Sequence, residues 1–389
     1  ATTVAMSADS VIDASATDNG NGGKVVLWSD VHKIDSVTTV QGRVYAKGGT
    51  YGGDGGQVET SGHMLSVDGI QVSTKATLGE DGVWLLDPYD LFIRDTTWTG
   101  YNYTQSGSTY TAQQPVYNDS SKIVVGSATL SMTYNGGQSA LRTDTINQAL
   151  GGGNVHIIAS GYIDVQGWGR SESSYPNDYI NYSGSNRLKL EAGSSISFTN
   201  YKVYLPNATL ELLAGTTVSQ TSVAPIYANT LILGKSNVAG AAATSGPPSV
   251  DLTTVGNYVT NLEANNISSL SLTNAQALSV NSNGLNVAGP VSLNTTGNLT
   301  VNGAINFSGT STLTSSNDVL VYADVTKNAG ADATLTFKAA RHLSFGSTVD
   351  ITSTSNKLNL VLNADTDKSG DGFIKYSGPS INTNGGYLQ

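Results

Sequence analysis

Cysteine is absent from the 389-residue sequence, which excludes disulfide frameworks, thiolate metal sites and cysteine nucleophiles. Charged residues are scarce at 12% of the chain, about half the usual share in soluble domains, which argues against coiled coils and ion-paired helix bundles. The net charge of −10 argues against a nucleic-acid or anionic-membrane partner, because both require a basic surface. No apolar run approaches the roughly 18 residues of a membrane span, so we expect no membrane insertion.

Small residues, including 44 glycines, separate short stretches in which apolar and polar residues alternate. One pattern occurs three times near the start: a short strand, a glycine-rich turn and a second short strand. Internal repetition of this kind indicates a solenoid or another repeat architecture. The paired strands are 12–15 with 24–27, 44–47 with 57–60, and 72–75 with 83–86.

Apolar doublets at positions i and i+2 dominate the sequence from Leu270 onward, which is the period of a strand with one buried face. Turn-forming pairs such as Asn-Gly and Thr-Gly separate them. Strands this short do not support an ordinary antiparallel sandwich of this size, whereas a coiled chain lays each strand on its equivalent one turn later. The doublets are Leu270/Leu272, Leu278/Val280, Leu285/Val287, Val291/Leu293, Leu299/Val301, Ile305/Phe307 and Val319/Val321.

These patterns predict an all-β fold, a parallel β-helix (β-solenoid) with loop or small-subdomain excursions, and a large β-sandwich is the alternative. Residues 143–150 carry a capping residue and two apolar residues four apart, which predicts one or two helical turns. The predicted divisions are glycine-rich turns over 1–95, a Tyr/Ser/Asn-rich excursion over 96–140, β-helix over 141–234 with a second excursion at 168–183, a loop over 235–250, and regular turns over 251–389.

Two blocks of the sequence resemble the large exoproteins of two-partner secretion systems in Gram-negative bacteria. They are GGDGGQVETSGH at 52–63 and GVWLLDPYD at 82–90. That group includes filamentous haemagglutinin-like adhesins, high-molecular-weight adhesins and haemopexin-binding exoproteins. Further stretches similar to the group are 145–150, 154–158, 358–365 and 381–386.

The resemblance implies a right-handed parallel β-helix, exported through an outer-membrane two-partner secretion transporter and displayed at the bacterial cell surface or secreted from it. The amino-terminal secretion domain of that group, with its Asn-Pro-Asn signature, is missing. The chain is therefore expected to be an interior or processed segment. A chain threaded unfolded through a pore should avoid crosslinks, which gives the absence of cysteine a reason.

Aromatic residues are concentrated in the two predicted excursions, which are otherwise rich in Ser, Asn and Gln. Aromatic surfaces of low charge bind sugars or proteins at little entropic cost, and loop packing along the rod is the alternative. The candidate ligand-binding residues are Trp98, Tyr101, Tyr103, Tyr110, Tyr117, Trp168, Tyr175, Tyr179 and Tyr182.

Alternating oxygen-bearing side chains at Asp365, Asp367, Ser369 and Asp371 give a candidate Ca²⁺ site. Position twelve of an EF-hand loop would be Tyr376, which supplies no carboxylate, and a plain polar turn is the alternative. No other cofactor is expected.

Acidic residues and histidines elsewhere give no catalytic pattern, since the four histidines are scattered without metal or nucleophile spacing. We interpret Glu59, His63, Asp87 and Asp90 as residues that finish turns, with processing or partner recognition as the alternative. No enzymatic activity is predicted.

The function predicted from the sequence is adhesion to a host, a neighbouring cell or a biofilm, with the β-helix as a rigid stalk or fibre. The expected partner is a host or bacterial surface glycan or protein. Two alternatives stay open. One is a polysaccharide-cleaving β-helix enzyme, and the other is a filament protomer that associates end to end, because an open solenoid leaves unpaired strand edges.

Overall fold

The computed structural model describes residues 1–67, 69–94, 139–166, 179–221, 223–238 and 246–389, and the backbone of short strands between 102 and 131. Over these residues the chain is a parallel β-helix, in which each strand pairs with its equivalent one coil later, and most strands join one 28-stranded sheet. The predicted all-β solenoid is confirmed, and the β-sandwich alternative is wrong for this part of the chain.

The first three coils contribute three strands each, stacked in three columns. The first column is β1-β4-β7, the second is β2-β5-β8 and the third is β3-β6-β9. The bounds are β1 (Thr3–Met6), β2 (Val11–Asp13), β3 (Lys24–Trp28), β4 (Val37–Val40), β5 (Arg43–Tyr45), β6 (Gln57–Ser61), β7 (Met64–Ser66), β8 (Gln71–Ser73) and β9 (Val83–Asp87).

The register of these coils follows the repeats in the sequence. Lys24 pairs with Gln57, and Gln57 pairs with Val83. The glycines between the strands form tight corners: Gly53 has φ of 116°, and a Cβ there would lie 2.0 Å from the carbonyl oxygen of Gly20. The first block that resembles the exoprotein group thus begins with a corner, where backbones approach too closely for a side chain, and continues into β6.

The chain next forms β10 (Leu91–Arg94) and then strands that lie in small antiparallel sheets outside the parallel stack: β11 (Asn102–Ser106), β12 (Thr109–Gln113), β13 (Val116–Asn118), β14 (Lys122–Val124) and β15 (Thr129–Ser131). It returns to the rod with β16 (Ser139–Arg142), helix α1 (Thr143–Gly152), β17 (Asn154–Ala159), β18 (Ile163–Gln166), β19 (Ile180–Asn181) and β20 (Leu188–Ala192).

Helix α1 confirms the predicted helical turns. The expected side-chain cap is wrong, because Arg142 precedes the helix and makes no capping hydrogen bond. Asp144 in the first turn instead accepts the Thr145 N–H at 2.8 Å. Strand β19 lies inside the predicted second excursion. It nevertheless pairs with the strand Val203–Ala214 and therefore belongs to the rod.

Four long strands and three short ones follow: β21 (Ser195–Thr199), β22 (Val203–Ala214), β23 (Thr217–Gln220), β24 (Ile226–Lys235), β25 (Ser249–Ile267), β26 (Ser269–Asn274) and β27 (Leu278–Val287). The regular coils then comprise β28 (Val291–Thr295), β29 (Leu299–Val301), β30 (Ile305–Phe307), β31 (Ser311–Ser315), β32 (Val319–Val321), β33 (Val325–Lys327), β34 (Ala333–Ala339), β35 (Leu343–Phe345), β36 (Ile351–Ser353), β37 (Leu358–Asn363), β38 (Ile374–Tyr376) and β39 (Ile381–Asn382).

One continuous hydrophobic core runs along the inside of the rod. The predicted doublets supply it: Leu299 pairs with Leu278 and with Val319, and all three are buried. Each coil thus buries its inward residues against the next, and stability accumulates along the stack without disulfides. No helix in the described ranges has the length and apolarity that crossing a membrane requires.

Candidate binding face

Most of the predicted aromatic binding residues lie outside the described side chains. Trp98, Tyr101, Trp168 and Tyr175 fall in undescribed stretches. Strands β11, β12 and β13 contain Tyr103, Tyr110 and Tyr117, of which only the backbone is described. Tyr179 and Tyr182 have described side chains, and both pack against the core from a half-buried position.

Tyr179 belongs to a row of tyrosines that climbs the outside of the rod, which we call the tyrosine ladder: Tyr179, Tyr204, Tyr227 and Tyr258. Tyr204 pairs with Tyr227, and Tyr227 pairs with Tyr258, so these three occupy one register position in successive coils. The Tyr227 and Tyr258 rings stack with centroids 4.3 Å apart and planes within 6°. Tyr204 is tilted against Tyr227 at 5.1 Å, and Tyr179 meets Tyr204 edge to face at 6.4 Å.

Lys202 extends along the same face. Its Nζ lies 5.0, 5.1 and 4.9 Å from the ring centroids of Tyr179, Tyr204 and Tyr227. A cation within about 6 Å of an aromatic centroid is attracted to the ring. The ladder therefore combines aromatic rings with one positive charge on a rigid sheet.

Strand alternation explains why these tyrosines point outward. On β22, Val203 and Leu205 are fully buried, so Tyr204 between them faces away from the core. The same holds for Tyr227 between Ile226 and Ala228 on β24.

The tyrosine ladder presents ring edges and polar groups to a ligand, rather than open ring faces. The stacked rings of Tyr227 and Tyr258 each cover one face of the other. Tyrosine combines an apolar ring with a hydroxyl, and it loses little conformational entropy when it binds. The arrangement suits a binding surface for a sugar or a protein.

Sequence reasoning missed Tyr204, Tyr227 and Tyr258. They are separated by 23 and 31 positions, because the connections between coils differ in length, and no constant period marks them. Their one local signal is a tyrosine between two buried positions, as in Val203-Tyr204-Leu205.

A second polar cluster surrounds Glu191, which is 5% exposed. Its carboxylate accepts hydrogen bonds from His156 Nε2 at 3.1 Å and the Asn237 N–H at 3.1 Å, and Lys189 Nζ lies at 2.8 Å. Burial alone raises the pKa of Glu191, but these hydrogen bonds and the Lys189 charge outweigh burial and hold the pKa at about 2. The cluster fixes the chain after β24 to the outer face of β17 and β20.

The candidate calcium residues form a turn closed by its own hydrogen bonds. Asp365 Oδ1 accepts the Gly370 N–H at 3.0 Å and the Ser369 hydroxyl at 3.2 Å, and Asp367 Oδ1 accepts the Ser369 N–H at 3.1 Å. Asp371 donates its N–H to the Ser369 hydroxyl at 3.4 Å. Within the described ranges, no group of three or more His, Asp or Glu side chains is placed to hold a metal ion. Calcium binding at this turn stays a prediction.

No protein-family model matches the chain, and no curated protein sequence matches it at a significant level.

Proposed function

We propose that this chain is a segment of a secreted or surface-displayed bacterial exoprotein that acts in adhesion. The β-helix serves as a rigid stalk, and the tyrosine ladder with the neighbouring excursions contacts the ligand. The expected ligand is a glycan or protein on a host cell, a neighbouring cell or a biofilm. The expected route to the surface is an outer-membrane two-partner secretion transporter.

The tyrosine ladder is the observation that carries this proposal. Four tyrosines and Lys202 share one outward face, and the sheet beneath them holds the rings at fixed spacing. Immobile aromatic residues are efficient binding residues because little entropy is lost on binding. The resemblance of blocks 52–63 and 82–90 to two-partner secretion exoproteins supports the cellular setting.

The test is a glycan and host-protein array probed with the chain and with a Tyr204→Ala/Tyr227→Ala variant. We expect the parent to bind at least one class of ligand and the variant to lose at least tenfold in affinity, about 1.4 kcal/mol. The matched control is Tyr322→Ala, which removes a tyrosine that is 52% exposed and lies outside the ladder. Equal binding by all three proteins would refute the ladder's role.

Deleting residues 96–122 tests the contribution of the first excursion in the same assay. We expect the rod to fold and the affinity to fall. Adhesion equal to that of the parent would show that the ladder acts without this segment. New reducing ends or unsaturated products from a polysaccharide incubated with the chain would instead favour the enzymatic alternative.

End-to-end association is a second candidate, which apolar side chains exposed in the first coil and in the last strands of the described residues favour. Val11 and Val26 are 49% and 43% exposed in the first coil, and Ile374 and Leu388 are 47% and 57% exposed at the other end. Unpaired edges of parallel strands accept further strands. Filaments in electron micrographs of the purified chain would support this candidate, and isolated rods would count against it.

A further inference from the structure

The stack of coils changes character between the coil β7-β8-β9 and the next coil, β16-α1-β17. The three-stranded sheets of the first and second columns end at β7 and β8. The third column continues, since β9 pairs with β17 from Val83 opposite Asn154 to Leu86 opposite Ile157. We call this boundary the joint. Below the joint, strands pair in all three columns, whereas only the third column continues its main-chain pairing across it.

Side-chain and helix contacts replace the two missing ladders. Above β7, the Ser139 hydroxyl accepts the Leu65 N–H at 2.9 Å and lies 3.4 Å from the His63 carbonyl oxygen. Above β8 lies α1, whose Gly152 carbonyl accepts the Thr74 N–H at 2.8 Å. Ile146 and Leu150 of α1 are fully buried in the core, so apolar packing crosses the joint here, but the main-chain hydrogen bonds that join the strands of the first two columns do not.

The chain order at the joint differs from that of a simple coil. Strand β10 precedes β16 in sequence but lies above it, because β10 pairs with β16 on one side and with β18 on the other. In sequence, β10 is followed by strands β11 to β15, which pair outside the parallel stack, and then by β16, which lies directly at the joint.

Titratable groups cluster beside the joint. Asp87 ends β9, just beyond the last pair of the ladder that crosses the joint, and its charged neighbours are Glu59 on β6 and His32 after β3. Lys24 in turn lies 4.0 Å from the Glu59 carboxylate. Burial, together with the Glu59 charge, raises the pKa of the Asp87 carboxyl to about 6, although His32 acts in the opposite direction.

The turn after β9 links the coils on either side of the joint. The Tyr89 ring stacks on the His63 ring below at 4.9 Å. The Asp90 carboxylate accepts the Tyr162 N–H above at 3.1 Å, and the Asp90 carbonyl accepts the Ser139 N–H at 3.2 Å. Burial raises the pKa of Asp90. The Tyr162 hydrogen bond and the His63 charge lower this pKa, but burial outweighs them.

From the loss of main-chain pairing in two columns, the side-chain and helix contacts that replace it, and the half-buried Asp87 at the end of the pairing that remains, we infer that the joint is a pH-sensitive hinge. It opens locally at neutral pH, without unfolding of the rod, and acid closes it. Opening separates β9 from β17 and hydrates the Asp87 carboxylate. The closed form holds the proton of Asp87 more tightly than the open form, so lowering the pH favours the closed form.

Amide hydrogen exchange, corrected for the intrinsic effect of pH, tests the hinge in the full chain. The reporters are the N–H groups of Leu65, Thr74 and Asn154, whose hydrogen bonds cross the joint. We expect them to exchange faster than the reference N–H groups of Leu278 and Leu299. We also expect the opening equilibrium at pH 7 to exceed that at pH 5 by about tenfold, given an open-state pKa near 3.9.

Three variants make the outcome decisive. Asp87→Asn should slow exchange of the reporters at pH 7 and remove the pH dependence. Ser139→Ala should speed their exchange at both pH values and leave the pH dependence unchanged. Glu263→Gln, which removes an outward carboxylate on the same sheet, should change neither. Exchange of the reporters at the same rate as the reference amides would overturn the hinge, and an unchanged pH ratio in Asp87→Asn would overturn Asp87 as its sensor.

Discussion

The hydroxyl of Ser139 accepts the backbone N–H of Leu65 at 2.9 Å, across 74 residues of sequence. Ser139 is 2% exposed, so water does not supply a substitute partner. In a regular coil a backbone carbonyl of the next strand would accept this N–H. A side chain thus completes the edge of β7, where the sheet of the first column ends.

Replacing Ser139 by Ala leaves the Leu65 N–H buried without a partner. We expect the free energy of opening at the joint to fall by about 1–3 kcal/mol, the usual effect of orphaning a buried donor. Hydrogen exchange at Leu65 measures the change. Ser292→Ala, at an exposed position on β28, is the control and should have an effect within about 0.5 kcal/mol. Equal effects of the two variants would contradict the bridging role of Ser139.

The regular coils were predictable because their determinants are local. Inward apolar doublets and glycine corners define each turn, so the alignment of Lys24 with Gln57 and Val83 in the sequence is the register in the structure. The exchanged order of β10 and β16 was not predictable. It depends on where residues 95–138 re-enter the stack, and nothing in the short sequence of β16 specifies its neighbour.

The binding face was predictable only in part. Tyr179 lies in the predicted second excursion, but it joins a ladder whose other members sit on strands of the rod. Outward positions are free to hold any residue, so their composition shows a pattern only after the register is known. The buried asparagines Asn257 and Asn274 were missed for a related reason. The sequence does not distinguish an asparagine in an exposed turn from one buried at a corner of the rod.

Replacing Asp87 by Asn should stabilise the protein at neutral pH. The pKa of Asp87 is about 6 in the folded chain against an ordinary 3.8, so between these values the folded state binds more protons than the unfolded state. The free energy of unfolding therefore falls as the pH rises through this window. We expect Asp87→Asn to gain about 1–3 kcal/mol at pH 7 and much less at pH 4.

Urea unfolding at pH 4 and pH 7 measures this gain, with a constant m-value as the check that compactness is unchanged. Glu263→Gln provides the comparison for loss of one negative charge elsewhere on the sheet. A gain of the same size at both pH values would show that burial of the Asp87 charge is not its cause.

Replacing Glu191 by Gln should act in the opposite direction. The folded pKa of about 2 lies below the ordinary 4.5, so the contribution of this carboxylate is present above about pH 4.5 and is lost as the pH falls towards 2. We expect Glu191→Gln to lose about 1.5–3 kcal/mol at pH 7, the range for hydrogen bonds to a charged group, and almost nothing near pH 2.

The measurement for Glu191 is the thermal midpoint of parent and variant across that pH range. Proteolysis after Asn237 provides a local readout, because the Glu191 carboxylate accepts the Asn237 N–H. Unchanged protease sensitivity together with an unchanged midpoint at pH 7 would contradict the proposed anchoring of this segment.

A buried polar row runs along one corner of the rod, and Asn257 is its most connected member. Asn257 is fully buried, its Oδ1 accepts the Ile226 N–H at 3.0 Å, and its amide donates to the carbonyls of Leu252 and Thr273 at 3.0 and 3.1 Å. Asn274, Thr295 and Ser315 continue the row in register in the next coils. Each side chain supplies hydrogen bonds that the bend of the strand takes away from the backbone.

Asn257→Ala should therefore destabilise more than removal of an asparagine from the surface. It leaves the Ile226 N–H and two carbonyls without this partner inside the rod, and we expect a loss of about 1–3 kcal/mol. Asn257→Asp should be at least as harmful at pH 7, because a carboxylate cannot donate to the carbonyls and its charge is buried. Asn286→Ala is the control, since the Asn286 side chain is exposed. Exchange at the Ile226 amide separates these variants: protection equal to that of the parent in Asn257→Ala would mean that water fills the corner and that the row contributes shape rather than stability.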